Sequence, residues 1–295
     1  MLHFRLCAVL AALAVTPALA APQRLRVEAM EYPWSAVGRL NMAGRSYCSA
    51  VLIGERHILT AAHCLWNARS QDWWPAGSVH FIAGYQGGEA ILVSLVKNYV
   101  IADHYQGEPP AGLSHSATDW AIAELEEPLG KSAGWIGTTG ANAHPGTIGQ
   151  VGYRAESAHA MTLDYGCRMI GQADQGRVLW DDCEAAHGDS GGPIMSFQPD
   201  GPHLLGITVL VGKSPDHAFT GGVALSNFSD IAHFPLAARA ALDAGVGRGA
   251  GRGPDPGGAV TLLPAKTVMA LGDRQGAPTL SALAKLLDET AQQRR

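Results

Sequence analysis

The chain is short of cysteine, of long hydrophobic runs and of charge of one sign. Of its five cysteines, Cys7 lies within the first twenty residues, leaving Cys48, Cys64, Cys167 and Cys183. None of them forms a C-x-x-C pair, so a zinc site has little to rest on. After residue 20 no apolar stretch is long enough to cross a bilayer as a helix. The formal net charge is −5 and mixed along the chain, which gives no electrostatic reason to expect nucleic acid or an anionic membrane as partner. There is no internal repeat.

What is present begins with "MLHFRLCAVLAALAVTPALA". Arg5 stands in a short leading region, an apolar stretch runs from Leu6 to Val15, and Ala18-Leu19-Ala20 closes it. This reads as a cleavable export signal over residues 1–20, which takes Cys7 with it. Four cysteines in an exported chain favour disulfides over free thiols. They allow three pairings. Cys48–Cys64 and Cys167–Cys183 are favoured, because each is local and the two loops are similar in size. Such a loop is worth roughly 3 kcal/mol in the chain-entropy model. The remaining length suits one large all-β domain, or two small ones, plus a tail.

From about residue 36 to 125, short apolar runs alternate with turn residues: "CSAVLIG", "HILTAA", "SVHFIAG", "AILVSLVKNYVIA" and "DWAIAEL". Strands at this spacing, with no helical periods between them, suggest a sandwich or barrel. Residues 130–150, rich in glycine and small polar residues, read as a connector. A second block of strands follows in "GQVGYRA", "HAMTLDYGCRMIG", "RVLWDD", "GGPIMSF", "HLLGITVLVG" and "TGGVALS". The first helical pattern comes at about 229–244 and stops at Gly245. Residues 246–258 form a Gly/Pro/Arg-rich linker. The tail, 259–295, carries an amphipathic pattern capped by Thr279, with Leu280, Leu283, Leu286 and Leu287 on one face.

The chemistry concentrates at three places. "HGDSGGP" sets Ser190 among glycines, so a substrate carbonyl can approach the hydroxyl while the N–H groups of Gly188 and Ser190 converge on a developing oxyanion. A serine needs a base, and His63 in "LTAAHC" suits that task. The histidine needs a carboxylate to fix its tautomer, and Asp119 in "TDWAIAEL" begins an apolar strand where a carboxylate is hard to bury alone.

In order and sequence, "LTAAHC", "DWAIAELEEPLG" and "GDSGGP" resemble the signature segments of the chymotrypsin/trypsin-like serine proteases, over roughly residues 30 to 245. That resemblance implies two perpendicular six-stranded β-barrels, about 27–134 and 135–228, with the active site in the cleft between them. It implies His63 as general base, Asp119 as its orienter, Ser190 as nucleophile, and Gly188 with Ser190 as oxyanion hole. It also implies a Cys48–Cys64 bridge that pins the histidine loop. "GDSGG" fits the G-x-S-x-G elbow of α/β-hydrolases as well, with Asp216-His217 or Asp230 and His233 as nominal partners. That fold needs strands alternating with long helices, which the block lacks, and it leaves "LTAAHC" unexplained.

The match departs from animal trypsins at Ala186, where they carry a cysteine; here Cys183 lies seven residues before the serine. In this the chain resembles bacterial members grouped with the glutamyl endopeptidases. Glu184 stands where trypsin places its pocket-floor aspartate. "GITVLVG" matches the substrate-binding strand, with Thr208, Val209, Leu210 and Val211 facing an extended peptide. Val211 replaces a glycine and narrows the pocket, while Thr208 replaces the histidine of glutamyl endopeptidases. The balance favours small or aliphatic side chains. A cut between Arg26 and Val27 would create an ammonium group able to pair with Asp189.

The expectation is therefore a secreted, monomeric serine endopeptidase, extracellular or periplasmic, acting on protein or peptide substrates without metal or cofactor. It binds no nucleic acid and keeps no membrane segment once the signal is removed. The alternative is a protease-like binding protein with weak turnover.

Overall fold

Short apolar runs between turns become strands throughout the computed structural model, which describes residues 23–105, 107, 116–138, 147–198, 201–213 and 218–225. The leader, the 229–244 helix, the linker and the tail lie outside the described residues, as do Asp216, His217, Asp230 and His233. In chain order, β1 (Gln23–Arg26) leads to β2 (Val37–Met42), β3 (Ser46–Leu52) and β4 (His57–Thr60). A small ribbon, β5 (Trp66–Asn67) with β6 (Asp72–Trp73), precedes β7 (Val79–Ala83), β8 (Leu92–Ile101) and β9 (Ala121–Leu125).

The strands β2-β3-β4-β9-β8-β7 close into a six-membered antiparallel barrel. Alternation drives it: β7 buries Val79, Phe81 and Ala83 and turns His80 to solvent. Leu40, Val51, Ile58, Phe81, Val96, Ile122 and Leu125 fill the interior, each worth roughly 1.5–3 kcal/mol on full burial. Gly38 makes room for this core, since a Cβ there would lie 2.4 Å from the Phe81 ring.

The second half contains β10 (Gly137–Thr138), β11 (Ile148–Gly152), β12 (Thr162–Cys167), β13 (Met169–Ala173), β14 (Val178–Asp181), β15 (Pro193–Gln198), β16 (Gly201–Lys213) and β17 (Ala218–Ala224). Its path runs β1-β12-β11-β15-β16-β17-β14-β13. Only Arg168 separates β12 from β13, so with β1 set aside the two ends of the path are consecutive pieces of one stretch of chain. Counting them once, the members are β11, β12–β13, β14, β15, β16 and β17, which is the second barrel that the resemblance implied. Two additions lie outside that count: β1 pairs with β12, and β10 runs parallel to β16.

Both expected disulfides form. Cys48–Cys64 ties β3 to the turn after β4, and Cys167–Cys183 ties the end of β12 to the segment after β14. Among the described residues no helix is long and apolar enough to cross a membrane.

Candidate active site

His63 sits on a 3-10 turn, Ala62–Leu65, directly after β4, and the neighbouring Cys64 anchors that turn to β3. Asp119, just before β9, is fully buried. Its Oδ1 accepts the His63 backbone N–H at 2.9 Å, and its Oδ2 lies 2.7 Å from His63 Nδ1. A proton on Nδ1 satisfies the carboxylate and leaves Nε2 with its lone pair free, the tautomer a general base needs. The Tyr105 hydroxyl adds a third hydrogen bond to Asp119.

Burial disfavours the charged imidazole, but the Asp119 charge and hydrogen bond outweigh it, and the net shift of His63 is upward from 6.5. Tyr105 also belongs to an aromatic cluster with Trp66 and Trp73. Trp66 meets Trp73 edge-on at 5.1 Å, and Trp73 lies 6.1 Å from Tyr105.

Ser190 lies in a tight turn before β15. Gly188 and Gly191 have φ of +95° and +75°, conformations that cost glycine little. Neither position has space for a methyl group. A Cβ at Gly188 would lie 2.2 Å from the Tyr153 carbonyl oxygen, and one at Gly191 2.2 Å from Thr60 Oγ1. The N–H groups of Asp189, Gly191 and Gly192 donate to Ala186, Thr208 and Asp189 carbonyls. Those of Gly188 and Ser190 have no acceptor among the described residues. Two open donors beside three satisfied ones suit a developing oxyanion.

The serine turn is fastened to the first barrel. The Ser49 N–H donates to the Ser190 carbonyl at 2.9 Å, and the Ser49 hydroxyl donates to the Gly188 carbonyl at 2.8 Å. That hydroxyl also accepts the Tyr153 N–H at 2.9 Å. Thr60, three residues before His63, donates its hydroxyl to the Ser49 carbonyl. Cys64 Sγ lies 3.8 Å from the Ser190 carbonyl oxygen. One scaffold thus holds the histidine turn and the serine turn together. The Ser190 hydroxyl itself makes no hydrogen bond among the described residues; contacts of this kind commonly tighten when substrate binds.

The residues expected to hold substrate fall into two groups. Thr208 is buried and locks β16 to the serine turn, its N–H donating to the Gly192 carbonyl and its carbonyl accepting from Gly191. Beyond Ile207, β16 pairs among the described residues with β17 alone, so Val209 to Val211 present an open backbone edge there. Val209 is buried and Val211 is 55% exposed on that edge. The Glu184 side chain is exposed, and its carbonyl receives Arg24 and Arg154.

Among the described residues, two groupings bring metal-ligating residue types within 4.8 Å, Cys48 with His63 and Cys64, and Asp164 with Cys167 and Cys183. The four cysteines of these groupings are in disulfides, which consumes the thiolates a zinc ion would take. Three further residues were not singled out from sequence: Tyr105 on Asp119, Ser49 beneath the serine turn, and Arg24, whose guanidinium lies 2.9 Å from Asp189.

The family model described as Trypsin matches residues 25–231. Trypsin delta and trypsin gamma of Drosophila erecta are each 28% identical to the chain over 197 residues, 60% of it and 72% of the relative. Among solved structures, a Glu endopeptidase superposes with a TM-score of 0.57 at 17% identity, covering 70% of this chain and 92% of its own. A thermostable serine protease, AL20, from an extremophilic microorganism gives 0.53 at 17% identity, over 72% and 97%. The fold is shared with these two enzymes.

Proposed function

Since the chain belongs to the trypsin family, we propose that it is a secreted serine endopeptidase working through His63, Asp119 and Ser190. The buried Asp119–His63 pair carries this reading, because a fully enclosed carboxylate directed at one imidazole nitrogen prepares the other nitrogen to take a proton. Nε2 of His63 removes the Ser190 proton as Oγ attacks the scissile carbonyl. The oxyanion accepts hydrogen bonds from Gly188 and Ser190 N–H, and Asp119 stabilises the imidazolium. Nε2 then protonates the leaving amine, the acyl-enzyme remains on Ser190, and water attacks it by the same route in reverse.

The open edge of β16 binds the peptide backbone in extended form. Val211, exposed on that edge, favours small or aliphatic side chains over long cationic ones. Residues 1–20 act as the export signal, 21–245 as the protease domain, 246–258 as linker and 259–295 as tail. The active species is a monomer, outside the cell or in a periplasm.

The test is labelling by a fluorophosphonate, with Ser190→Ala as control. Labelling and peptide cleavage that both vanish in the variant support the mechanism. A wild-type chain that neither labels nor cleaves any member of a peptide library would instead be an inert binding protein, and the reading fails.

A further inference from the structure

Asp189 stands between the two open donors of the serine turn, Gly188 and Ser190, so whatever holds its carboxylate sets the direction of both N–H groups. The side chain is 4% exposed, and its Oδ2 lies 2.9 Å from Arg24 Nη2. The same oxygen accepts the Ala186 N–H at 3.0 Å, and Arg154 Nε is more distant at 4.0 Å. Oδ1 has no hydrogen-bond partner among the described residues and sits against Gly152, where a Cβ would approach within 2.6 Å. Burial raises the pKa of Asp189, and the Arg24 charge is the largest influence against that rise.

Arg24 is itself held in place. Its Nε donates to Thr162 Oγ1 at 3.2 Å, and its Nη1 donates to the Glu184 carbonyl at 3.4 Å and lies 3.8 Å from Asp164 Oδ2. The register of β1 on β12 places Arg24 opposite Asp164, so strand pairing delivers the guanidinium to the turn. Val27, just after β1, is fully buried and donates its N–H to the Met161 carbonyl at 3.3 Å. An ammonium group created there would be a charge placed in packed core.

We propose that Arg24 is the positioning residue of the oxyanion turn, and that the protein works only with β1 attached. The Arg24 side chain serves where a newly cut terminus was expected, so cleavage between Arg26 and Val27 disables the protein instead of activating it. Without Arg24, Asp189 is a buried carboxylate left with only the more distant Arg154, 4.0 Å away, as counter-ion. It turns toward water and takes the Gly188 and Ser190 amides with it. This inference rests on the serine peptidase reading above.

The experiment compares the full chain as wild type, Arg24→Ala and Arg26→Ala, the last removing an exposed charge from the same strand. Each is assayed on a peptide the wild type cleaves, with sites counted by fluorophosphonate. Arg24→Ala is expected to lose about 100-fold in kcat, the scale of one lost oxyanion donor, with KM within about threefold. Free guanidinium ion restores part of that loss, which a merely structural defect would not allow, and Arg26→Ala matches the wild type. A cooperatively folded Arg24→Ala with wild-type kcat overturns the proposal. Should that variant not fold, cleavage of the folded wild type after Arg26 decides: activity lost in step with the cut supports the proposal, and activity kept or gained overturns it. Failure of the wild type to label defeats the peptidase reading itself, whereas a labelled wild type with an equally active Arg24→Ala defeats only the role of Arg24.

Discussion

Ser49 on the first barrel holds the main chain of Ser190 on the second, with its N–H 2.9 Å from the Ser190 carbonyl oxygen. Its hydroxyl, fully buried, bridges the Gly188 carbonyl and the Tyr153 N–H. The nucleophile's turn therefore takes part of its shape from the opposite barrel. Ser49→Ala keeps the backbone bond and removes both side-chain bonds, stranding one buried donor and one acceptor. It is expected to cost about 1–3 kcal/mol in denaturant unfolding, together with about a tenfold fall in kcat as the Gly188 amide drifts. Unchanged values for both would show that the bridge is incidental.

Tyr105 makes a different kind of contribution. Its hydroxyl hydrogen-bonds to the Asp119 carboxylate, which already receives both the ring and the backbone N–H of His63. Burial, followed by the Asp119 charge and this hydrogen bond, raises the phenol far above its usual range, so it stays neutral and donates. Tyr105→Phe removes one bond that spreads the carboxylate's charge. Asp119 then holds a proton on His63 more firmly, and the acid limb of kcat/KM moves to higher pH. A simple packing defect would lower the rate without moving the limb, so the pH profile separates the two.

That limb can be placed in the wild type. His63 acts as base only when neutral, so activity rises as pH passes its folded pKa. Desolvation lowers that value, but Asp119 more than compensates, and the net direction is up from 6.5. The pH dependence of kcat/KM, which reports the free enzyme, is expected to show an apparent pKa above 6.5. The limb should disappear below that value in Asp119→Asn, along with most of the rate. A wild-type limb below 6.5 would mean that burial, and not Asp119, governs the imidazole.

Much of this was legible in the sequence where the signal was local. The quoted apolar runs became β3, β4, β7, β8, β9 and later β11 through β17, because short apolar runs bounded by turn residues mark strands whether one face or both are buried. The segments around His63, Asp119 and Ser190 carried their chemistry in adjacent residues. The pieces that escaped are pairings set by barrel closure: Ser49 with Gly188 is separated by 139 positions and Arg24 with Asp189 by 165. No periodicity encodes such a contact. The two-residue strands β5, β6 and β10 are too short to alternate, and "QRLR" of β1 has a single apolar residue. Glu184 is chosen by counting from the serine, and such a count carries no information on burial: its side chain is exposed.

Asp181 offers a test of the fold away from the reaction. It is fully buried beside the Cys167–Cys183 bridge, accepting from Gln150 Nε2 at 2.9 and 3.1 Å and from the Cys183 N–H at 3.0 Å. Desolvation raises its pKa from 3.8 to about 7, against the pull of those donors. Between these values the folded chain holds a proton that the unfolded chain has released. The stability from the neutral acid is complete below about 3.8 and lost as pH rises through about 7, where the fold must enclose a charge. Asp181→Asn removes that charge, and Gln150 can turn its unpartnered Oε1 to the new amide. The variant is expected to melt higher than the wild type at pH 8 and to show a smaller difference in Tm between pH 5 and pH 8. Asp164 and Asp189 are shifted in the same direction and keep part of the slope in both proteins. A variant that melts lower at pH 8 would mean that the ionised carboxylate, held by its three donor contacts, is worth more to the fold than its burial costs.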